Sequence, residues 1–194
     1  MKLLKLLSPL LILSALMMVA SASSAQQNKV RLSLKASVMQ RIGVNTDITI
    51  DYSRPGVKGR KIWGGLVPYG LAPANKESKG KPFPWRAGAN ENTTIQFSKD
   101  VIVEGHELPA GKYGLFMIPG KKEWVIIFSK DNSAWGSFSY NQADDALRIT
   151  VKPVEAPHME WLMYGFDHLA GTSATAYLWW DNLKVPFNIS LPKE

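Results

Sequence analysis

Arginine, lysine, glycine and tryptophan are concentrated in two stretches, residues 51–70 (DYSRPGVKGRKIWGGLVPYG) and 85–94 (WRAGANENTT). The first places Arg54, Lys58, Arg60 and Lys61 where Pro55, Gly56 and Gly59 interrupt regular structure. The second sets Arg86, Asn90 and Glu91 beside Trp85. Guanidinium forks take a carboxylate or phosphate in paired hydrogen bonds, and glycines let backbone amides approach the same anion. Trp63, Tyr69 and Trp85 supply flat faces on which a sugar or an aromatic ligand stacks. The expected site binds a small anionic or glycan-like ligand through Arg54, Lys58, Arg60, Trp63, Tyr69, Trp85, Arg86, Asn90 and Glu91. The same residues also admit a bracing role, in which Arg86 pairs with Glu91, across the tight turn that Gly88 permits, or Arg54 with Asp51 to pin the chain between strands.

The segments around these stretches repeat with a period of two. Ile48, Ile50 and Tyr52 alternate with Asp47, Thr49 and Asp51, which marks a half-buried strand, and Ile95 with Phe97 and Val101 with Val103 continue the pattern. Glu104-Gly105 reads as a hairpin tip. Residues 113–118 and 124–128 are apolar on both parities and are expected to form a central hairpin covered on both faces. Leu147, Ile149 and Val151 alternate again, and residues 159–166, 175–180 and 185–191 are expected as the last strands, with Pro186 at an edge or bulge. About ten short strands with no amphipathic helix predict an all-β, antiparallel β-sandwich or jelly roll, with a barrel as competitor. Residues 71–84 (LAPANKESKGKPFP) read as an exposed loop inside that single domain, residues 26–194.

The strings YSRPGVKGRKIWGGLVPYG, WRAGANENTT, LPAGKYGLFMIPG, EWVIIFSKD and DALRITVKP resemble the domain of unknown function 2911 family over most of the chain. The resemblance implies a secreted or envelope-facing protein of Gram-negative bacteria and a shared design, with no established activity. In the family pattern the Pro-Tyr-Gly element runs almost directly into Trp-Arg, whereas here residues 71–84 intervene.

Residues 1–25 have the form of a cleaved secretory signal: Lys2 and Lys5, a short apolar run, then Ser23, Ser24 and Ala25. The run is shorter than the ~20 residues a spanning helix needs, and no transmembrane segment is expected after cleavage. The expected location is the periplasm or the extracellular space. The chain has no cysteine, which excludes a cysteine-linked lipid anchor and leaves an exported fold to be held by its core alone. Loss of Lys2 and Lys5 lowers the net charge from +7 to +5. This mild basicity suits anionic ligands or envelope surfaces, and no nucleic-acid-binding signature accompanies it.

Other chemistries find less support. No phosphate-loop or nucleophile-elbow spacing occurs. His158 and Glu160 with Asp167-His168, and Glu104 with His106 and Glu107, lack the converging ligands a metal needs, so no metal and no cofactor are expected. For the tryptophans at strand positions, Trp124, Trp161 and Trp179, a core role is expected; Trp63 and Trp85 in glycine-rich loops divide between core and ligand contact. Asn92-Thr93-Thr94 matches a glycosylation sequon. The sequence thus favours an exported, non-enzymatic β-sandwich that binds a small ligand or partner. Two alternatives stand beside it. One is an envelope hydrolase using Glu91 with Asp51 or Asp100, which would need to lie about 5 to 9 Å apart. The other is a purely structural envelope domain.

Overall fold

Alternation of apolar and polar side chains governs the computed structural model, which describes residues 30–193. The expected signal segment, residues 1–25, lies outside the described residues. Ten strands follow in order: β1 (Leu34–Ile42), β2 (Thr46–Arg54), β3 (Thr94–Phe97), β4 (Val101–Val103), β5 (His106–Leu108), β6 (Gly111–Ile118), β7 (Trp124–Ser129), β8 (Asp145–Val151), β9 (Val154–Ala170) and β10 (Ser173–Ser190). One 3-10 turn, Gln142–Asp144, is the only helical element among the described residues. The strands form a six-stranded sheet in the order β1-β2-β3-β6-β7-β8 and a four-stranded sheet in the order β5-β4-β10-β9, with antiparallel neighbours throughout.

The inward faces carry the residues that the period of two selects. Ile48, Ile50 and Tyr52 of β2 are buried while Asp51 is exposed. Aromatic pairs join the two sheets: Tyr52 meets Tyr164 edge-on at 4.9 Å, and Phe128 meets Phe187 at 6.1 Å. β6 and β7 are buried on both parities, as a central hairpin requires.

Three expectations need correction. The strands are not all short, because β9 spans 17 residues and β10 spans 18. The two strands expected around Pro186 are one. Pro186 falls where β10 has finished pairing with β9 at Lys184 and has yet to pair with β4 at Ile189, so its missing N–H costs no ladder bond. Trp161 and Trp179 are not core residues: Trp161 is 40 % exposed, and Trp180 takes the buried position on β10. A bulge between Trp179 and Asp181, where Asp181 adopts φ 53°, resets the alternation there.

The first motif piece ties the sheets together at one corner. Beyond β2 the chain continues through residues 55–57 along β9, with Val57 N–H donating to Glu160 O at 2.8 Å and Leu162 N–H to Pro55 O at 3.0 Å. The loop at residues 71–84 is held at its base by paired bonds between Ala72 and Phe83 and at its tip by Asn75 and buried Ser78.

Candidate functional site

The second motif piece is an excursion from the six-stranded sheet. Trp85 exchanges two 2.8 Å backbone bonds with Met117, and Leu115 N–H donates to Thr93 O at 2.8 Å. Met117 and Leu115 are next-but-one neighbours on β6, so residues 86–92 must loop out, and they carry Arg86, Asn90 and Glu91 with them. The tight turning is done by Ala87 at φ 51° and Asn90 at φ 60°. Gly88, by contrast, is required for closeness: a Cβ there would lie 2.6 Å from Thr93 Oγ1. The Ala87 carbonyl accepts from Tyr164 Oη at 2.8 Å and Thr93 Oγ1 at 3.2 Å, which fixes the loop onto the opposite sheet.

Arg86 occupies the centre of this arrangement. Its guanidinium donates to Asn90 O at 2.6 Å and lies 4.7 Å from the Phe138 ring centroid. It also rests on the backbone at Gly136, where a Cβ would stand 2.2 Å from Cζ. Gly136 is doubly constrained, since its φ of +73° also disfavours side chains. Half-buried Arg86 has no carboxylate within salt-bridge reach among the described residues. Burial pulls its pKa below the ordinary value, yet a guanidinium keeps its charge throughout the working pH range. The expected pairing of Arg86 with Glu91 is therefore not formed. Glu91 turns the other way, to Lys35 at 3.3 Å and Ser53 Oγ at 3.3 Å.

A cleft of about 530 Å³ opens on one side of Arg86, and a second recess of about 520 Å³ on the other. They share Leu66, Trp85 and Arg86. The first also receives Lys58 and Arg60, and its lining among the described residues includes no Asp, Glu or His. The second is walled by Pro68, Pro73, Phe83 and Phe138 and contains Ser137, whose buried Oγ has no hydrogen-bond partner.

The structure thus gathers Lys58, Arg60, Trp85 and Arg86 in one cleft and distributes the remaining expected residues elsewhere. Arg54 is a brace, but to carbonyls rather than to Asp51: Nε donates to Leu162 O at 2.8 Å, while Asp51 points to the opposite face of β2. Arg60 combines roles, donating to Gly56 O at 2.5 Å and Val57 O at 3.1 Å while lining the cleft. Trp63 is buried in a four-indole cluster with Trp85, Trp124 and Trp180, meeting Trp124 edge-on at 4.9 Å. The buried indole N–H groups of Trp63, Trp124 and Trp180 have no hydrogen-bond acceptor among the described residues. Tyr69 is exposed, packs over Gly64 and lies outside both recesses. Asn90 closes the Arg86 loop, its side chain donating to Ser33 O at 3.4 Å. Glu91 lines a separate cleft that also holds Asp51.

Residue type alone pointed to the cations, whereas Gly136, Ser137, Phe138 and Trp180 escaped sequence reading. They are distant in the chain from Arg86, and no local spacing connects them to it.

A family model described as protein of unknown function (DUF2911) matches residues 33–189, which takes in both motif pieces and the strands that carry them. No curated protein and no solved structure matches the chain. The chain belongs to the DUF2911 family.

Proposed function

We propose that this is an exported, periplasmic or extracellular, binding protein whose ligand is a small anion with an apolar body. The anionic group would sit in the cleft with Lys58, Arg60 and Arg86, and the apolar part in the recess lined by Phe83 and Phe138. The observation that carries this reading is Arg86 itself: a half-buried cation, held in place by Gly136 and Phe138, that faces two open recesses without a carboxylate partner. Desolvating a cation is costly unless a counter-charge compensates it, and a bound carboxylate or phosphate supplies one. Trp85 and Trp180 form the wall beside these charges, which lowers the local dielectric and strengthens an ion pair made there. With no carboxylate or histidine among its lining, this cleft lacks an acid–base pair of its own, whereas Glu91 and Asp51, the pair expected for a hydrolase, lie together in a separate cleft. Export rests on the signal-like pattern of residues 1–25.

The test is thermal stabilisation of the mature protein by a panel of aliphatic and aromatic carboxylates and phosphate monoesters, at ionic strength held constant with chloride. The reading expects saturable stabilisation by members carrying an apolar group and little by inorganic phosphate. A flat response across the panel would refute it.

A further inference from the structure

The cleft that takes Glu91 and Asp51 has a volume of about 630 Å³ and differs in chemistry from the one beside Arg86. It lies over the starts of β1 and β3 and the end of β2 and is walled by the segment after β7 that carries Trp135. Its charged lining is balanced, with Lys35 and Lys112 against Asp51 and Glu91. Lys35 and Glu91 already meet at 3.3 Å.

Asn92 sits in this lining, 9 % exposed, with an amide that is only half satisfied. Its Nδ2 donates to Asp131 O at 3.1 Å, while its buried Oδ1 has no partner. The side chain cannot turn over to relieve this, because Oδ1 would then face the Asp131 carbonyl. Gly114 on β6 makes room for the group, since a Cβ there would stand 2.7 Å from Nδ2. Oδ1 has almost no exposed surface, so Asn92 belongs to the wall of the cleft and recognition falls to the charged groups and Trp135. At the rim, Trp135 is 63 % exposed, an unusual placement for the largest side chain.

We infer that this cleft is a second binding site, for a neutral saccharide. Sugar hydroxyls bridge the carboxylates and ammonium groups of the lining, and the apolar C–H face of a pyranose ring lies on Trp135. The balanced charge disfavours an anion through Asp51 and Glu91 and a cation through Lys35 and Lys112. An apolar ligand would take water from Lys35, Asp51, Glu91 and Lys112 without replacing its hydrogen bonds. Neutral, hydroxyl-rich and flat on one face are the properties that remain. The site stands independently of the anion cleft, with which it shares no lining residue. It also replaces the sequon reading of Asn92, whose buried amide is not available for glycosylation.

Isothermal titration with cellohexaose, maltohexaose and chitohexaose tests the inference. At least one of them should bind saturably, Trp135→Ala should weaken that binding by about tenfold or more, and Asp51→Asn should weaken it less. Both positions are exposed, so both variants should fold. Absence of binding to all three sugars, or binding that Trp135→Ala leaves intact, would overturn the inference. A protein that responds to the carboxylate panel but to no sugar would lose this site and keep the anion cleft.

Discussion

Arg86 lies with its guanidinium 4.7 Å from the centre of the Phe138 ring, pressed between that ring and the backbone of Gly136. The contact holds a cation at the meeting point of two recesses without giving it a carboxylate, so the charge is positioned but not neutralised.

Gly136→Ala should disrupt this placement. The new methyl would lie 2.2 Å from Arg86 Cζ, on a backbone at φ +73°. The left-handed strain alone costs about 1 to 3 kcal/mol. Chemical denaturation should show that loss or more, together with loss of carboxylate-induced stabilisation. Unchanged stability would mean that Arg86 moves aside at no cost.

Arg54→Ala should behave in the opposite sense. Its guanidinium joins β2 to the Leu162 carbonyl on β9, away from both recesses. Removing it should lower unfolding free energy by about 1.5 to 3 kcal/mol and leave ligand affinity unchanged. An affinity loss as large as that of an Arg86 variant would place Arg54 in the site after all.

Tyr164→Phe removes the hydroxyl that anchors the Ala87 carbonyl at 2.8 Å. Thr93 Oγ1 still donates to that carbonyl, so the loss should stay near 0.5 to 1.5 kcal/mol, the range for one net hydrogen bond. Hydrogen exchange should nevertheless speed up in residues 86–92, because the loop loses its tether to the second sheet.

Alkaline pH should destabilise the fold partly through Tyr140. Burial, then the hydrogen bond to Asp145, pushes its pKa from 10.0 up to about 12. The folded state therefore keeps the phenolic proton that the unfolded chain releases near 10.0. Its contribution is complete below pH 10.0 and is lost as pH rises towards about 12. Urea unfolding across that window should show a falling midpoint, with a shallower fall in Tyr140→Phe. Equal slopes would deny the linkage.

Most strands were legible because one face of each is buried, as at Ile48, Ile50 and Tyr52. β1 was not singled out, since it is an edge strand whose residues are exposed or half-buried until Ile42. Trp179 lies off the buried row of Ala174, Ala176, Leu178 and Trp180, and only beyond the bulge does burial pass to Val185, Phe187 and Ile189, a change of face that no periodic reading detects. Within the anion cleft, Lys58, Arg60 and Arg86 could be proposed from residue type. Their separation from Arg54 and Glu91 could not, because it depends on which face of β2 and of the 86–92 loop each side chain leaves. Phe138 and Gly136 reach Arg86 only through tertiary folding.

The most direct test of the anion cleft compares wild type with Arg86→Met by calorimetric titration, using the most stabilising carboxylate or phosphate ester of the panel at constant ionic strength. Methionine keeps much of the side-chain volume and no acidic partner is stranded, but the 2.6 Å bond to Asn90 O is lost, so folding stability should fall by about 1.5 to 3 kcal/mol with the fold retained. Wild type should bind saturably, and Arg86→Met should bind at least about tenfold more weakly, as expected when a charge-assisted bond worth ~1.5 to 3 kcal/mol is lost. Equal affinity in the two proteins would contradict the account.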